Sequence, residues 1–134
     1  MRRIAILLTL LACGCGGGEA RDGLDGPLEF TRAGGIAGRI DQLTLRPDGT
    51  ATLTTKTSSR KFELADSELE AIVEEVDAVE SVPAESRNPR TVYDDFAYSV
   101  EYGGREVTMD GMATPDELSG LIGALTELVD DPRP

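Results

Sequence analysis

The clearest structural signal in this sequence is the segment FAYSVEYGGREVTM, which occupies residues 96–109. Apolar and polar residues alternate on both sides of Gly103 and Gly104, and a two-residue glycine turn of this kind joins antiparallel strands. Pairing outward from that turn brings four apolar residues to one face: Tyr98, Val100, Val107 and Met109. The segment therefore predicts a β-hairpin with one buried face.

A second hairpin is predicted around the turn Pro47-Asp48-Gly49. Proline suits the second position of such a turn, and glycine suits a position that needs a positive φ. The register that follows pairs apolar residues on one side of the hairpin: Leu43 with Leu53, and Leu45 with Ala51. Alternation also predicts a strand at residues 28–31 and another through Phe62 and Leu64, after a polar stretch at residues 56–61 that is expected to hold a bulge or a turn.

An amphipathic helix is predicted between these strands and the glycine hairpin. It is expected to begin at Asp66 or Ser67, because Ser67 and Glu70 have the spacing of a capping box. Apolar residues then recur at helical spacing as far as Val79, and Pro83 closes the helix. Residues 84–92 are predicted to form a loop.

A second helix is predicted at the end of the chain. Thr114 and Glu117 match another capping box, with Pro115 at the first helical position. Gly120 and Gly123 weaken this helix, and we expect them to allow a close approach to the sheet. The order of elements predicts an α+β fold, in which an antiparallel sheet of about four to five strands carries two helices on one face.

The first twelve residues resemble an export signal. Two arginines precede a short apolar run, which falls far below the roughly 20 residues that a membrane-spanning helix needs. The run ends in Leu-Leu-Ala-Cys at residues 10–13, and this motif resembles the lipobox of bacterial lipoproteins. The resemblance implies a signal peptide at residues 1–12 and Cys13 as a lipidated N-terminus bearing acyl chains such as palmitate.

Other interpretations of the two cysteines stay open. Cleavage before Cys15 is one, although the residue three places before it is a poorer match, and an ordinary signal peptide is another. A disulfide between Cys13 and Cys15 is disfavoured because one residue between them makes a strained bridge. A lipid on Cys13 would hold the protein on the extracytoplasmic face of the cell membrane, since two or more acyl chains give stable attachment.

The rest of the chain divides into a tether and one domain. Residues 13–26 are dominated by glycine and predict a flexible tether, and residues 27–134 predict a single domain without cysteine. The chain has 13 basic and 25 acidic residues, a net charge of −12 and no histidine. The negative charge argues against nucleic-acid binding. The absence of histidine excludes catalysis by histidine and zinc sites that use histidine ligands. We expect no cofactor, no bound metal and no small-molecule substrate.

Carboxylates are therefore the only abundant groups that could do catalysis. In the predicted register Glu101 faces Glu106 on the solvent side of the glycine hairpin. Two opposed carboxylates could share a proton or a cation, but on an open sheet they are more simply exposed and mildly unfavourable. The sequence therefore predicts that the protein is not an enzyme, and a carboxylate hydrolase remains the weakest of the hypotheses.

The most unusual loop of the domain is Gly34-Gly35-Ile36-Ala37-Gly38. It joins two strands and does not open a helix, so it is not a phosphate-binding loop. The favoured expectation is that Ile36 folds back onto the core, because apolar loop residues often pack inward. The alternative is that Ile36 projects and fills a pocket on another protein.

Four stretches of the chain resemble the emfourin-like inhibitors of thermolysin-like zinc metalloproteases, a family named from protealysin inhibition. They are FTRAGGIAG at residues 30–38, the helix from Ser67, DFAYSV at residues 95–100 and DGMATP at residues 110–115. The resemblance extends over about residues 28–129, and Ala33 stands where the family usually has serine. It implies an inhibitor that binds at the cleft of a thermolysin-like protease. The lipobox and the tether are additions to the family pattern, and with them the predicted protein is a membrane-tethered inhibitor.

Such proteases accept a bulky aliphatic residue beside their catalytic zinc, which suits the glycine-flanked isoleucine. The predicted partner-binding residues are Gly34, Gly35, Ile36 and Gly38. Without histidine, and with both cysteines outside the domain, the domain is not expected to extract zinc. The alternative function is that of a structural or interaction lipoprotein that binds another envelope partner.

Overall fold

The structure is a computed structural model that describes residues 23–88 and 95–131. The predicted signal peptide at residues 1–12, Cys13, Cys15 and most of the predicted tether lie outside the described residues. Within the described part, no helix is both long and apolar enough to cross a membrane.

Seven strands form one sheet with two helices packed against it. The strands are β1 (Leu28–Gly34), β2 (Arg39–Leu45), β3 (Thr50–Thr54), β4 (Ser59–Glu63), β5 (Glu85–Ser86), β6 (Phe96–Tyr102) and β7 (Arg105–Asp110). Their order across the sheet is β4-β3-β2-β1-β6-β7-β5, and every neighbouring pair is antiparallel except β5 with β7. The predicted α+β class is confirmed.

The sheet has seven strands, so the predicted number of four to five is wrong. A turn closes at residues 55–58, where Thr55 N–H donates to Ser58 O at 2.8 Å, so β4 begins at Ser59, inside the polar stretch. The region predicted as a loop contains β5, a two-residue strand that pairs in parallel with β7. Such a short strand has no alternation of its own, and its pairing partner is more than twenty residues away along the chain.

Both predicted hairpin registers are present. Leu43 faces Leu53, Leu45 faces Ala51, Val100 faces Val107 and Tyr98 faces Met109. Of these residues only Tyr98 is incompletely buried, and together with helix residues they form one hydrophobic core. The match follows from the period of two, since a slip of one residue would turn every apolar side chain toward solvent.

The helices are α1 (Asp66–Glu75), which continues as a 3-10 turn at Val76–Glu80, and α2 (Asp116–Asp130). Neither predicted capping box forms. At α1 the Glu68 carboxylate accepts a hydrogen bond from the Ala65 N–H at 2.8 Å, and the helix begins at Asp66, the earlier of the two predicted positions. At α2 the Thr114 hydroxyl donates to the carbonyls of Asp110 and Gly111 instead of capping the helix.

The packed part of the chain extends into the range predicted as tether. Leu24 is buried in the core, and the Asp25 N–H donates to the Tyr102 hydroxyl at 2.9 Å. A Cβ on Gly23 would come within 2.5 Å of the Pro47 carbonyl oxygen, so only glycine fits there. The composition of this segment gave no sign of these contacts, because a single leucine among glycines and charges has no period.

The two glycines of α2 differ in their surroundings, and neither provides close approach to the sheet. A Cβ on Gly120 would meet the carboxylate end of Glu75 on α1 at 3.0 to 3.2 Å, whereas a Cβ on Gly123 would have nothing within 4 Å. We therefore expect Gly123→Ala to raise the free energy of unfolding by about 1 kcal/mol, because alanine removes the entropic cost of glycine in a helix.

Chemical unfolding of the two single variants measures this effect. Gly120→Ala is the matched control, and we expect a smaller gain because the Glu75 side chain must move. A gain of about 1 kcal/mol corresponds to about 4 to 8 °C in Tm for a domain of this size. A loss of stability in Gly123→Ala would show that the position is more crowded than described.

Candidate functional site

Four segments meet at one end of the sheet, which we call the loop end: residues 34–38, 55–58, 95–96 and 111–113. They are the β1–β2 loop, the β3–β4 turn, the entry to β6 and the exit from β7. The chain enters β1 at the opposite end, at Leu28, and reaches the loop end at Gly34. A seven-residue strand separates the two ends by about 20 Å.

The β1–β2 loop depends on glycine at three of the predicted site positions. Gly34, Gly35 and Gly38 have φ values of 117°, 75° and 60°, a region that other residues rarely adopt. The Gly38 N–H donates to the Gly35 carbonyl oxygen at 3.0 Å and closes the turn. Ile36 lies between these residues, so the loop holds its position through backbone geometry.

Asp95 connects the β1–β2 loop to the entry to β6 and to the exit from β7. Its backbone carbonyl accepts the Gly35 N–H at 3.4 Å, and its carboxylate accepts the N–H groups of Phe96 and Met112 at 2.9 and 3.1 Å. A Cβ on Gly34 would lie 2.6 Å from the Asp95 carbonyl oxygen, and one on Gly111 would lie 2.7 Å from its Oδ1. Glycine at both positions allows the segments to come this close.

Ile36 is 91% exposed, so the expectation that it folds back onto the core is wrong. The space beneath the loop is already filled by the Phe96 ring, which lies 3.1 Å from the position of a Cβ on Gly35. The Arg32 guanidinium packs over the same ring, 5.0 Å from its centroid. With that space occupied, the isoleucine side chain projects into solvent.

The exposed large aliphatic residues of the described chain gather at this end. They are Ile36, Ile40 at 52% exposure and Met112 at 58%. Ile40 is the second residue of β2 after the loop, and Met112 lies in the turn that Asp95 binds. Exposed aliphatic side chains that are gathered at one place on a folded domain are typical of a protein-binding surface.

A buried charge network supports the loop end from below. Arg32 on β1 is 3% exposed and contacts Asp41 on β2 through Nε at 3.1 Å and Nη2 at 2.8 Å. It also contacts Asp130, at the last residue of α2, through Nη1 at 3.2 Å and Nη2 at 2.8 Å. The network joins two strands to the end of a helix, and its Arg32 guanidinium packs on the Phe96 ring.

Burial and hydrogen bonding act in opposite directions on the pKa values of Arg32 and Asp130. The hydrogen bond from Arg32 lowers the pKa of the Asp130 carboxyl below its ordinary value, although partial burial acts in the other direction. Burial alone would lower the pKa of Arg32, but hydrogen bonds to Asp130 and Asp41 bring it above the ordinary value. The network was not predicted from the sequence. The feature that could have indicated it is the pair of opposite charges, Arg32 and Asp41, at facing inward positions of β1 and β2.

The lowered pKa of Asp130 predicts a loss of stability in acid. Its ionised form contributes stability above the unfolded value of 3.8, and this contribution disappears as the pH falls through the lower folded value. We expect Asp130→Asn to destabilise the protein at about pH 6 by no more than about 1 kcal/mol, because half of the Asp130 side chain is exposed.

Unfolding curves of wild type and Asp130→Asn between about pH 6 and pH 2 test this expectation. The two proteins should differ most near neutrality and converge in strong acid, when the wild-type carboxyl is protonated. A difference that stays constant over this range would mean that the ion pair with Arg32 does not contribute.

The predicted carboxylate pair has the register that the sequence indicated. Glu101 faces Glu106, both are exposed, and the Ser99 hydroxyl donates to Glu106 Oε1 at 3.0 Å. Within residues 23–88 and 95–131, no group of three or more Asp, Glu, Cys or His residues is arranged to hold a metal ion.

A scan against protein-family models finds no family that matches this chain, and a search of curated proteins finds no significant match. The residues of the loop end are therefore the basis for inferring the function. Their arrangement can present an apolar side chain to another protein on a backbone that is already fixed.

Proposed function

We propose that this protein inhibits a thermolysin-like zinc metalloprotease by placing the loop end in the protease cleft. The observation that supports the proposal most directly is Ile36, which projects with 91% of its surface exposed from a loop fixed by Gly34, Gly35 and Gly38. In the complex Ile36 fills the pocket for an aliphatic residue. The sequence resemblance at residues 30–38 and 110–115 supports the same function.

The energetics of such a contact are favourable. Burial of an isoleucine side chain contributes about 1.5 to 3 kcal/mol. A loop that is ordered before binding loses little conformational freedom in the complex, and this raises affinity without further contacts. The hydrogen bonds of Asp95 to Gly35 and Met112 provide that order.

The position of the loop end also suits attachment to a membrane. With a lipid on Cys13, the tether would reach the domain at Leu24 and β1 would carry the chain away toward Gly34. Ile36 would then lie at the end of the domain that faces away from the attachment point. In this arrangement the inhibitor meets its protease outside the cell membrane.

Incubation of the protein with a panel of thermolysin-like proteases tests the proposal. The protein is used from Gly14 onward, without the lipidated residue, since the buried core residues of the described part of the chain lie between Leu24 and Val129. We expect stoichiometric inhibition of at least one protease and a complex on size-exclusion chromatography, and no inhibition of a serine protease as control. Complete absence of inhibition and complex formation would favour the structural or interaction lipoprotein.

A further inference from the structure

The β3–β4 turn places a cation beside the β1–β2 loop. Lys56 Nζ lies 3.7 Å from the position that a Cβ on Gly38 would occupy, so its ammonium group covers the end of the loop. Between the two segments is a shallow cavity of about 190 Å³. Its lining includes two basic residues, Arg39 and Lys56, and one acidic residue, Asp41.

The acidic residue that lines the cavity, Asp41, forms a long ion pair with Arg39 and none with Lys56. The Arg39 side chain is 55% exposed, and its Nε is 4.0 Å from Asp41, whose carboxylate Arg32 already binds at 2.8 Å. Lys56 is exposed, and no carboxylate of the described residues forms a salt bridge with it. Asp95, the next carboxylate of the loop end, accepts two backbone N–H groups.

The groove at the opposite end of the sheet is acidic. It has a volume of about 560 Å³, and its lining contains five acidic residues: Asp25, Glu29, Asp77, Glu80 and Glu101. The chain as a whole has a net charge of −12, so the cations next to Ile36 stand out against their surroundings. The groove is therefore lined by carboxylates, whereas the cavity at the loop end is lined by two cations and one carboxylate.

We propose that Lys56 and Arg39 form a cationic rim that contacts an acidic surface beside the protease cleft, an inference that rests on the proposed function. Ile36 and Ile40 fill apolar pockets, and the rim fixes the orientation of the domain around them. Complementary charge mainly accelerates association and favours one partner over others. The rim therefore selects proteases with acidic residues next to the cleft.

The geometry favours a protein over the anionic membrane as the partner of the rim. The rim lies at the loop end, about 20 Å from Leu28, where β1 begins. The groove nearest to that entry point is acidic and would be repelled by anionic lipid headgroups. If the domain lay with its long side on the membrane so that the rim touched the headgroups, the carboxylates of the groove would also come close to the membrane.

The chain provides a matched pair of variants for the test, because Lys56 and Lys61 are its only lysines. Lys61 lies on the face of β4 that points away from the helices, outside the loop end, and it is also exposed. Lys56→Glu and Lys61→Glu change the net charge equally. A difference in association rate between the two variants therefore reflects the position of the substituted charge, because the change in net charge is the same in both.

Association rates with an inhibited protease are measured for wild type and both variants, from residue 14 onward, at about 50 mM and about 500 mM salt. We expect Lys56→Glu to slow association at least about tenfold at low salt and Lys61→Glu about threefold or less, with both differences shrinking at high salt. Equal Tm values for the three proteins confirm that folding is intact.

Each other outcome overturns the proposal. Equal slowing by both variants would mean that only net charge matters, and faster association of Lys56→Glu would indicate a basic partner surface. Binding of the wild type, but not of Lys56→Glu, to vesicles of phosphatidylserine and phosphatidylcholine would assign the rim to a membrane. If the wild type inhibits no protease, the proposed function fails first, and the rim proposal fails with it.

Discussion

Arg32→Met is expected to lower the free energy of unfolding by about 3 to 5 kcal/mol. Asp41 is 3% exposed, and the substitution leaves its carboxylate buried without the two hydrogen bonds from Arg32. The end of α2 also loses its connection to β1 through Asp130. A domain of this kind is stable by only about 5 to 15 kcal/mol, so the loss is a large part of the total.

Equilibrium unfolding in urea measures the effect, and two further variants isolate its cause. Arg39→Met removes an exposed arginine that lies 4.0 Å from the same carboxylate, and we expect it to cost less than about 1 kcal/mol. Arg32→Met combined with Asp41→Leu removes both charges and should recover much of the loss, because no buried charge remains unpaired. A cost for Arg32→Met alone as small as that of Arg39→Met would contradict the network.

Ile36→Asp is expected to weaken inhibition by about 100-fold or more, which corresponds to about 2.7 kcal/mol of binding free energy. In the proposed complex, the variant removes the apolar side chain and places a charge in the protease pocket. Stability should stay within about 0.5 kcal/mol of the wild type, since Ile36 is 91% exposed and makes little contact with its own domain.

Inhibition constants for Ile36→Asp, Ile36→Val and wild type test this prediction. Valine keeps the branched apolar shape and loses one methylene, so we expect a loss of about tenfold or less. Equal potency of Ile36→Asp and wild type, with folding intact, would remove the β1–β2 loop from the mechanism. The stability measurement separates a binding effect from a folding defect.

Much of the sheet was predictable because its information is local. The alternation around Gly103 and Gly104 is enough to pair Val100 with Val107, and the turn at residues 47–49 is enough to pair Leu43 with Leu53. Strand β5 was not predictable in this way. Its two residues pair with β7 in parallel, and this pairing depends on the whole path of the chain from α1 to β6.

The candidate site was predictable in composition but not in geometry. The glycines of the β1–β2 loop indicated a special backbone, and positive φ values occur at Gly34, Gly35 and Gly38. The direction of Ile36 depends on Phe96, which is distant in sequence and fills the space under the loop. The partners of Arg32 could not be assigned from one strand, because Asp130 belongs to the last turn of α2.

The pairing of β1 with β2 would affect how the protein responds to cleavage by the protease that it is proposed to inhibit. Seven facing residue pairs, from Leu28 with Leu45 to Gly34 with Arg39, hold both arms of the loop. If the protease cut the peptide bond beside Ile36, the two new chain ends would stay where they were, tied to the sheet and, through Gly35, to Asp95. The cut ends would have little freedom to leave the cleft, so a single cleavage would not release the enzyme.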